Sequence, residues 1–279
     1  METIVVTGAT GFAGRCIIAD ILKYTDYRIV AMSRSEGPTE GRLTSIRWDI
    51  REPLTEGGLK WLAASSNIRY FIHAAAEVHA LRSLADPVPF AVTNVIGTVN
   101  VLEAVRKLQM DTFAYISSVE VLGGRDVGYS LEHDEHRPSN PYAATKAAGE
   151  DLTYSYFKAF DVPAIIVRSS NLYGEGQDDE SKFVPMVTAL LKAGKPVKIH
   201  VQDGKPGMRQ WSLGSTFAHS LMDLLPRAKH GETYHIMGEE FTNLEMATRI
   251  AEQLGLPLKC ELVRISKTHE FRYAMQASQ

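Results

Sequence analysis

A β-branched strand, a glycine-rich turn and a helix follow one another within the first 24 residues, and this order restricts the fold more than any other feature. Thr3-Ile4-Val5-Val6-Thr7 is an apolar run of strand length. Thr7-Gly8-Ala9-Thr10-Gly11-Phe12-Ala13-Gly14 follows it and opens a helical pattern that runs from about Gly11 to Tyr24. Glycines at 8, 11 and 14 permit a tight turn, close approach of backbone to a pyrophosphate, and close packing of helix on strand. Free N–H groups and the positive end of the helix dipole suit phosphates. The strand–turn–helix context therefore points to a nucleotide site.

The alternation continues. Residues 27–32, 46–49, 70–75, 112–116 and 164–168 read as strands, with helical periodicity clearest over 89–108 and 142–160. Strands separated by helices imply βαβ units and an α/β doubly wound parallel sheet covered on both faces. Right-handed crossovers put ligands at the C-terminal edge of such a sheet. After about Asn171 the pattern loosens into a helix over 181–193, a strand over 198–201, a turn-rich stretch over 202–207, an amphipathic helix over 243–254 and a strand over 258–263. We expect a dinucleotide-binding domain over 1–170. A smaller α/β substrate-covering domain is expected over 171–279, interleaved with the first, and 125–140 reads as a surface loop.

Formal net charge is −3, so no global basic field points to nucleic acid or to an anionic membrane. Cys16 and Cys260 have neither disulfide nor metal-ligand spacing, and they read as reduced, buried thiols of a cytoplasmic protein. No metal is expected. No apolar run is expected to reach transmembrane length, and a strand starting almost at Met1 leaves no room for a signal peptide.

The end of the second strand bears on cofactor choice. An acid there would hold the ribose 2′-hydroxyl of NAD, but the chain has Met32-Ser33-Arg34. A guanidinium suits a 2′-phosphate, so NADP is favoured over NAD, a solvated surface arginine being the alternative. Asp49, ending the third strand, is either an acceptor for the adenine amino group or a turn cap. Further on, Tyr142 and Lys146 lie four apart on one helix face. An ammonium beside a phenol favours the phenolate, so this tyrosine is expected to exchange a proton near neutral pH. Ser117-Ser118 precedes it. Glycine turn, serine pair and Tyr-x-x-x-Lys come in the order of an enzyme that moves hydride and proton together.

The ordered set resembles the extended short-chain dehydrogenase/reductase family, in its nucleotide-sugar epimerase/dehydratase branch. His73-Ala74-Ala75-Ala76, Asn94-Val95-Ile96-Gly97-Thr98 and Arg168-Ser169-Ser170-Asn171-Leu172-Tyr173-Gly174 fall in that family's order, with the glycine turn, Ser117-Ser118, Tyr142 and Lys146. The resemblance implies a Rossmann-type sheet, NAD(P), a nucleotide-sugar substrate and a homodimer joined through the tyrosine helix and the helix over 89–108. It implies cofactor contacts from Gly8, Gly11, Phe12, Ala13, Gly14, Arg34, Asp49, Ile50, Ala74, Ala75, Ala76, Asn94, Ser117, Tyr142, Lys146 and Arg168. Substrate contacts implied are His79, Arg82, Asn171, Lys182, Arg209 and Arg272; for His79 a plain core histidine is the alternative.

Within that branch the chain is similar to the sugar 4,6-dehydratases. Ala75-Ala76-Glu77-Val78-His79-Ala80-Leu81-Arg82-Ser83, Arg209-Gln210-Trp211 and Phe271-Arg272-Tyr273-Ala274 resemble three of their motifs. The dTDP-glucose group carries Thr-Asp-Glu after strand five, where this chain has Ser118-Val119-Glu120, so the glutamate stays and the aspartate is gone. The GDP-mannose group resembles the chain there and at Arg34. Implied roles are Tyr142 as proton acceptor from the 4-hydroxyl, Lys146 as its activator, Ser118 as hydrogen-bond donor, and Glu120 as base at carbon 5. Glu120 is otherwise an ion-pairing residue. The other functions to be weighed are a 4-epimerase or 4-keto reductase, which does not need Glu120, and a non-catalytic NADP-binding protein.

Overall fold

The computed structural model describes residues 2–65, 67–264 and 270–278. In the first half, strands β1 (Glu2–Thr7), β2 (Arg28–Ser33), β3 (Leu43–Arg47), β4 (Asn67–His73), β5 (Met110–Ser118) and β6 (Ala164–Ser169) are joined by helices. These are α1 (Phe12–Tyr24), α2 (Glu56–Ser65), α3 (Ala80–Ala85), α4 (Val88–Ala91), α5 (Gly97–Val105) and α6 (Pro141–Phe160). The second half contains β7 (Asn171–Tyr173), α7 (Phe183–Lys192), β8 (Val197–Gln202), β9 (Lys205–Pro206), β10 (Met208–Leu213), α8 (Gly214–Leu224), β11 (Thr233–Ile236), β12 (Glu239–Thr242), α9 (Asn243–Leu254), β13 (Cys260–Arg264) and β14 (Arg272–Tyr273).

Seven strands form one parallel sheet in the order β11-β6-β5-β4-β1-β2-β3. This is the doubly wound order, with its switch point between β1 and β4. Side chains alternate across each strand, so Val5 joins the layer holding Leu62, Val101, Leu102 and Tyr156, while Ile4 and Val6 join the layer holding Ile17, Ile21, Phe217 and Leu221. Both faces are covered, which is why the strands are apolar throughout. The seventh strand, β11, comes from the second half of the chain, and α8 lies beside α1. A second sheet joins β7, β10, β12 and β14; a third joins β8, β9 and β13. Val187, Leu191, Val197, Ile199, Ala247 and Ala251 form a separate small core under α7 and α9.

Several local expectations shift. The cysteines are not buried: Cys16 is half-buried on α1, and Cys260 is exposed at the start of β13. β3 lies at Leu43–Arg47 rather than 46–49, and β4 ends at His73, which frees Ala74 and Ala75 to form a loop. The helix expected over 89–108 is broken by a five-residue π segment, Val92–Ile96, between α4 and α5. Residues 88–105 do reach the length and mean hydropathy of a membrane span, contrary to expectation. Half of that stretch is buried within the fold, as in the core helix of a globular domain.

Candidate functional site

The β1–α1 turn is built by omission of side chains. Gly8 has φ +71°, and a Cβ there would lie 2.6 Å from Ala75 N and 2.8 Å from Ala74 C. A Cβ on Gly14 would lie 2.2 Å from the Gly8 carbonyl oxygen. Gly11 caps α1 without any side-chain hydrogen bond and donates its N–H to Gly8 O at 2.9 Å. Half-buried Ala13 and Phe12 open the helix, the Phe12 ring lying against Gly174 and Gly214. Ala74 and Ala75 are pinned by N–H bonds to the carbonyl and hydroxyl of Thr7, and Ala76 continues that half-buried loop. The cradle is space that any Cβ would fill, at the N-terminus of a 13-residue helix. It fits a dinucleotide pyrophosphate.

Around the cradle, Arg34 is exposed just past β2 and pairs with Glu77 at 3.4 Å. Asp49 is occupied by Arg51 at 2.5 Å, whose hydrogen bond is the main cause of a lowered Asp49 pKa. Ile50 is buried under Gly97, its carbonyl accepting from Asn100 Nδ2 at 2.8 Å. Asn94 is a clamp: its amide accepts from Glu77 N at 2.8 Å and donates to Glu77 O at 3.0 Å and Thr145 Oγ1 at 2.9 Å. It ties the loop after β4 to α6.

The C-terminal end of β5 carries the serines. Ser117 is buried opposite Arg168 in the β5–β6 register. Ser118 caps a short turn, Val119–Leu122, and accepts from Glu120 N at 3.3 Å. Asn140 caps α6 with Pro141 in its first turn, a sequence-local start signal, and this launches Tyr142 beside Ser118. Burial raises the Tyr142 pKa; the Glu120 carboxylate raises it further, and a hydrogen bond with Ser118 pulls it down. Tyr142, Ser118 and Glu120 therefore share one small space. Glu120 is itself shifted upward by burial, against Asn140, Arg209 and Lys182, which favour its charged form.

Here the structure corrects one expectation. Tyr142 is made less acidic, not more, because desolvation dominates. Lys146 is turned elsewhere: its Nζ donates to Ile116 O at 2.6 Å and lies 4.1 Å from the Tyr115 ring centre. Burial lowers the Lys146 pKa to about 7, with Glu150 partly opposing.

Other expected site residues separate into two groups. Arg209 and Lys182 lie close enough to favour the charged Glu120. Arg209 is held by the carbonyls of Met208, Glu270 and Phe271; Lys182 precedes α7 and bonds Val78 O. Asn171 is half-buried in β7 beside Trp211. His79 caps α3, accepting from Arg82 N at 3.1 Å, while the exposed Arg82 side chain reaches Glu77 at 3.6 Å.

Arg168 and Arg272 are not brought to this space. Arg168, only 3% exposed, donates to both Glu150 oxygens, with Nη2–Oε2 at 2.7 Å, and to Glu132 O. Burial works against Glu150, but hydrogen bonds from His136 and Arg168 overrule it and hold its pKa at about 2. A buried guanidinium needs such partners, and they take Arg168 from the cofactor. Arg272 is committed to Glu240 at 2.5 and 3.0 Å and to Gly128 O. Its neighbour Tyr273 takes the position at the site. Tyr273 packs with Val119, lies 4.8 Å from the Arg209 guanidinium and helps raise the Tyr142 pKa, while burial and then the Glu120 carboxylate raise its own. Asn140 and Tyr273 were not anticipated as site residues. The signals were there: an asparagine before Pro-Tyr, and a tyrosine inside a quoted motif.

Comparison with known proteins agrees with this geometry. The model of the NAD-dependent epimerase/dehydratase family matches residues 4–236. A dTDP-glucose 4,6-dehydratase of Actinoplanes sp. is 30% identical over 99% of this chain and 89% of its own. The structure of a dTDP-glucose 4,6-dehydratase from Streptomyces venezuelae with NAD bound superposes with TM-score 0.86 at 26% identity, covering 98% of this chain and 88% of that one. A UDP-glucuronic acid 4-epimerase from Bacillus cereus, in complex with UDP-glucuronic acid and NAD, gives TM-score 0.87 at 26% identity, with 100% and 91% covered.

Proposed function

The chain belongs to the NAD-dependent epimerase/dehydratase family, and on that premise we propose that it is a nucleotide-sugar 4,6-dehydratase. The observation that carries this reading is Glu120, a half-buried carboxylate in the same space as Tyr142 and Ser118. Oxidation at carbon 4 needs only the hydroxyls; a second base is what elimination needs.

A dinucleotide whose pyrophosphate is held by the Gly8, Gly11 and Gly14 turn would supply the acceptor for hydride from carbon 4 and its donor to carbon 6. Tyr142 accepts the 4-hydroxyl proton, and Ser118 donates a hydrogen bond to the same oxygen. Lys146, four residues along the same helix, would hold the nicotinamide ribose, and its ammonium near the phenolate would oppose the desolvation that raises the Tyr142 pKa. The 4-keto group acidifies carbon 5. Glu120 takes that proton as the carbon 6–oxygen bond breaks, and passes it to the departing hydroxyl to make water. Tyr142 then gives its proton back to the 4-oxygen as carbon 6 is reduced, and the enol ketonises at carbon 5. Glu120 works as base and acid in turn because the place of a neighbouring acid is filled by Val119, packed on Tyr273 and Met275.

That same apolar Val119 favours the second reading, a 4-epimerase or 4-keto reductase, in which no water is lost. Glu120→Gln separates the two. With a nucleotide hexose, the variant should still reduce the bound cofactor but form no 4-keto-6-deoxy product. Full turnover in the variant would remove the dehydratase reading.

Arg34 makes NADP our favoured cofactor over NAD, since its guanidinium is 61% exposed and held by one long ion pair. Purified protein that carries only NADH or NAD would overturn this. We further propose a cytoplasmic homodimer joined through residues 88–105 and α6, where Val88, Val92, Ile96, Tyr154 and Phe160 are exposed. A purely monomeric elution in size-exclusion chromatography would count against the dimer.

A further inference from the structure

One amide connects the tyrosine helix to the carboxylate. Asn140 is 5% exposed and sits in extended backbone at the start of α6. Its Oδ1 accepts from Ala143 N at 2.9 Å and its carbonyl from Ala144 N at 3.0 Å. Those two bonds are an ordinary helix cap. The third bond is not: Nδ2 donates to Glu120 Oε2 at 3.0 Å. Among the described residues, no hydrogen bond reaches the other oxygen, Oε1, which leaves it as the proton-carrying atom.

We propose that Asn140 is a positioning residue: it locks the Glu120 carboxylate to the first turn of the tyrosine helix and keeps it ready to take the proton from carbon 5. The proposal rests on the dehydratase reading for its chemistry, though not for its geometry. Tyr142 is two residues from the cap, so base and phenol are set by the same turn. A neutral donor suits a group that must hold a proton briefly and release it. A cation at hydrogen-bond distance would trap the carboxylate, whereas a second carboxylate would keep it protonated. The charged groups that act on Glu120 come from separate elements. Arg209 on β10 and Lys182 before α7 favour its charged form, while its negative charge is felt by Tyr142 on α6 and Tyr273 on β14. Tyr142 shares the capped turn itself, and the Tyr273 hydroxyl lies 3.3 Å from Ser139 Oγ, next to the cap.

Asn140→Asp tests this without losing the helix start, because aspartate caps as well as asparagine. It replaces the donor by a second carboxylate. The Glu120 carboxyl titration, followed by isotope-edited NMR, should move up by at least about one pH unit, roughly a tenfold change in proton affinity. Elimination at neutral pH should slow about tenfold or more, with the acid limb of its pH profile moved the same way. Asn140→Ser, which also caps but lacks the amide, should slow elimination with a smaller upward shift, since a donor is lost but no charge is added. If the Glu120 titration and the elimination rate in Asn140→Asp match the wild type, Asn140 is only a helix cap and the proposal fails. If the wild type releases no 4-keto-6-deoxy sugar while the titration still shifts, the dehydratase reading fails and the positioning role stands.

Discussion

The cradle between β1 and α1 and the catalytic floor at the end of β5 are built in opposite ways. The cradle is backbone: Gly8, Gly11 and Gly14 act by what they lack, and all lie within seven residues. The floor is side chains, and Ser118, Asn140, Lys182, Arg209 and Tyr273 reach it from separate elements of the chain. One is damaged by added atoms, the other by lost charges and hydrogen bonds. A local motif thus suffices for cofactor binding, whereas the chemistry depends on long-range assembly.

The largest effect should come from the floor's supports. Glu150→Gln leaves Arg168 buried with its charge unbalanced, and this should cost about 3–5 kcal/mol of stability, read by urea denaturation. The cradle should be untouched, so dinucleotide affinity of the folded variant should change little. Unchanged stability would show that the Arg168 cluster carries no weight. Next is the cradle itself. Gly14→Ala places a Cβ 2.2 Å from Gly8 O, and overpacking of roughly 3 kcal/mol should weaken dinucleotide binding about a hundredfold by calorimetry. Wild-type affinity in that variant would mean the turn is softer than its contacts imply.

The smallest effect sharpens the contrast through pH. Lys146 has a pKa near 7 when folded, against an ordinary value of 10.5. Between those values the unfolded chain binds more protons, so this group makes stability rise with pH; below about 7 both states are protonated and its contribution is flat. From pH 7 to 8 the wild type should gain about 1 kcal/mol relative to Lys146→Met. Parallel profiles for the two proteins would mean Lys146 is not desolvated.

The same contrast explains what was legible in the sequence. Strand alternation and glycine spacing are local, so β1, α1, β2, β5, α6 and β6 were readable to within a few residues. The same holds for α9, with its Thr242–Glu245 capping box. β11 was not readable: Thr233-Tyr234-His235-Ile236 is a short, polar-interrupted edge strand whose place is decided by β6. The expectation that Lys146 acidifies Tyr142 failed because helix spacing gives proximity but not the cost of burial. Arg168 and Arg272 carry the right charge in familiar motifs, yet Glu150 and Glu240 claim them. Partners that distant are invisible in one dimension.

Tyr273 and Met275 close over Val119, and the Gln210 side chain pairs with both the N–H and the carbonyl of Met275, at 2.9 and 2.8 Å. Synthesis runs from the amino end, so the glycine turn leaves the ribosome more than 250 residues before this cover does. The residues of the cradle are therefore made long before the chain end that roofs the catalytic floor.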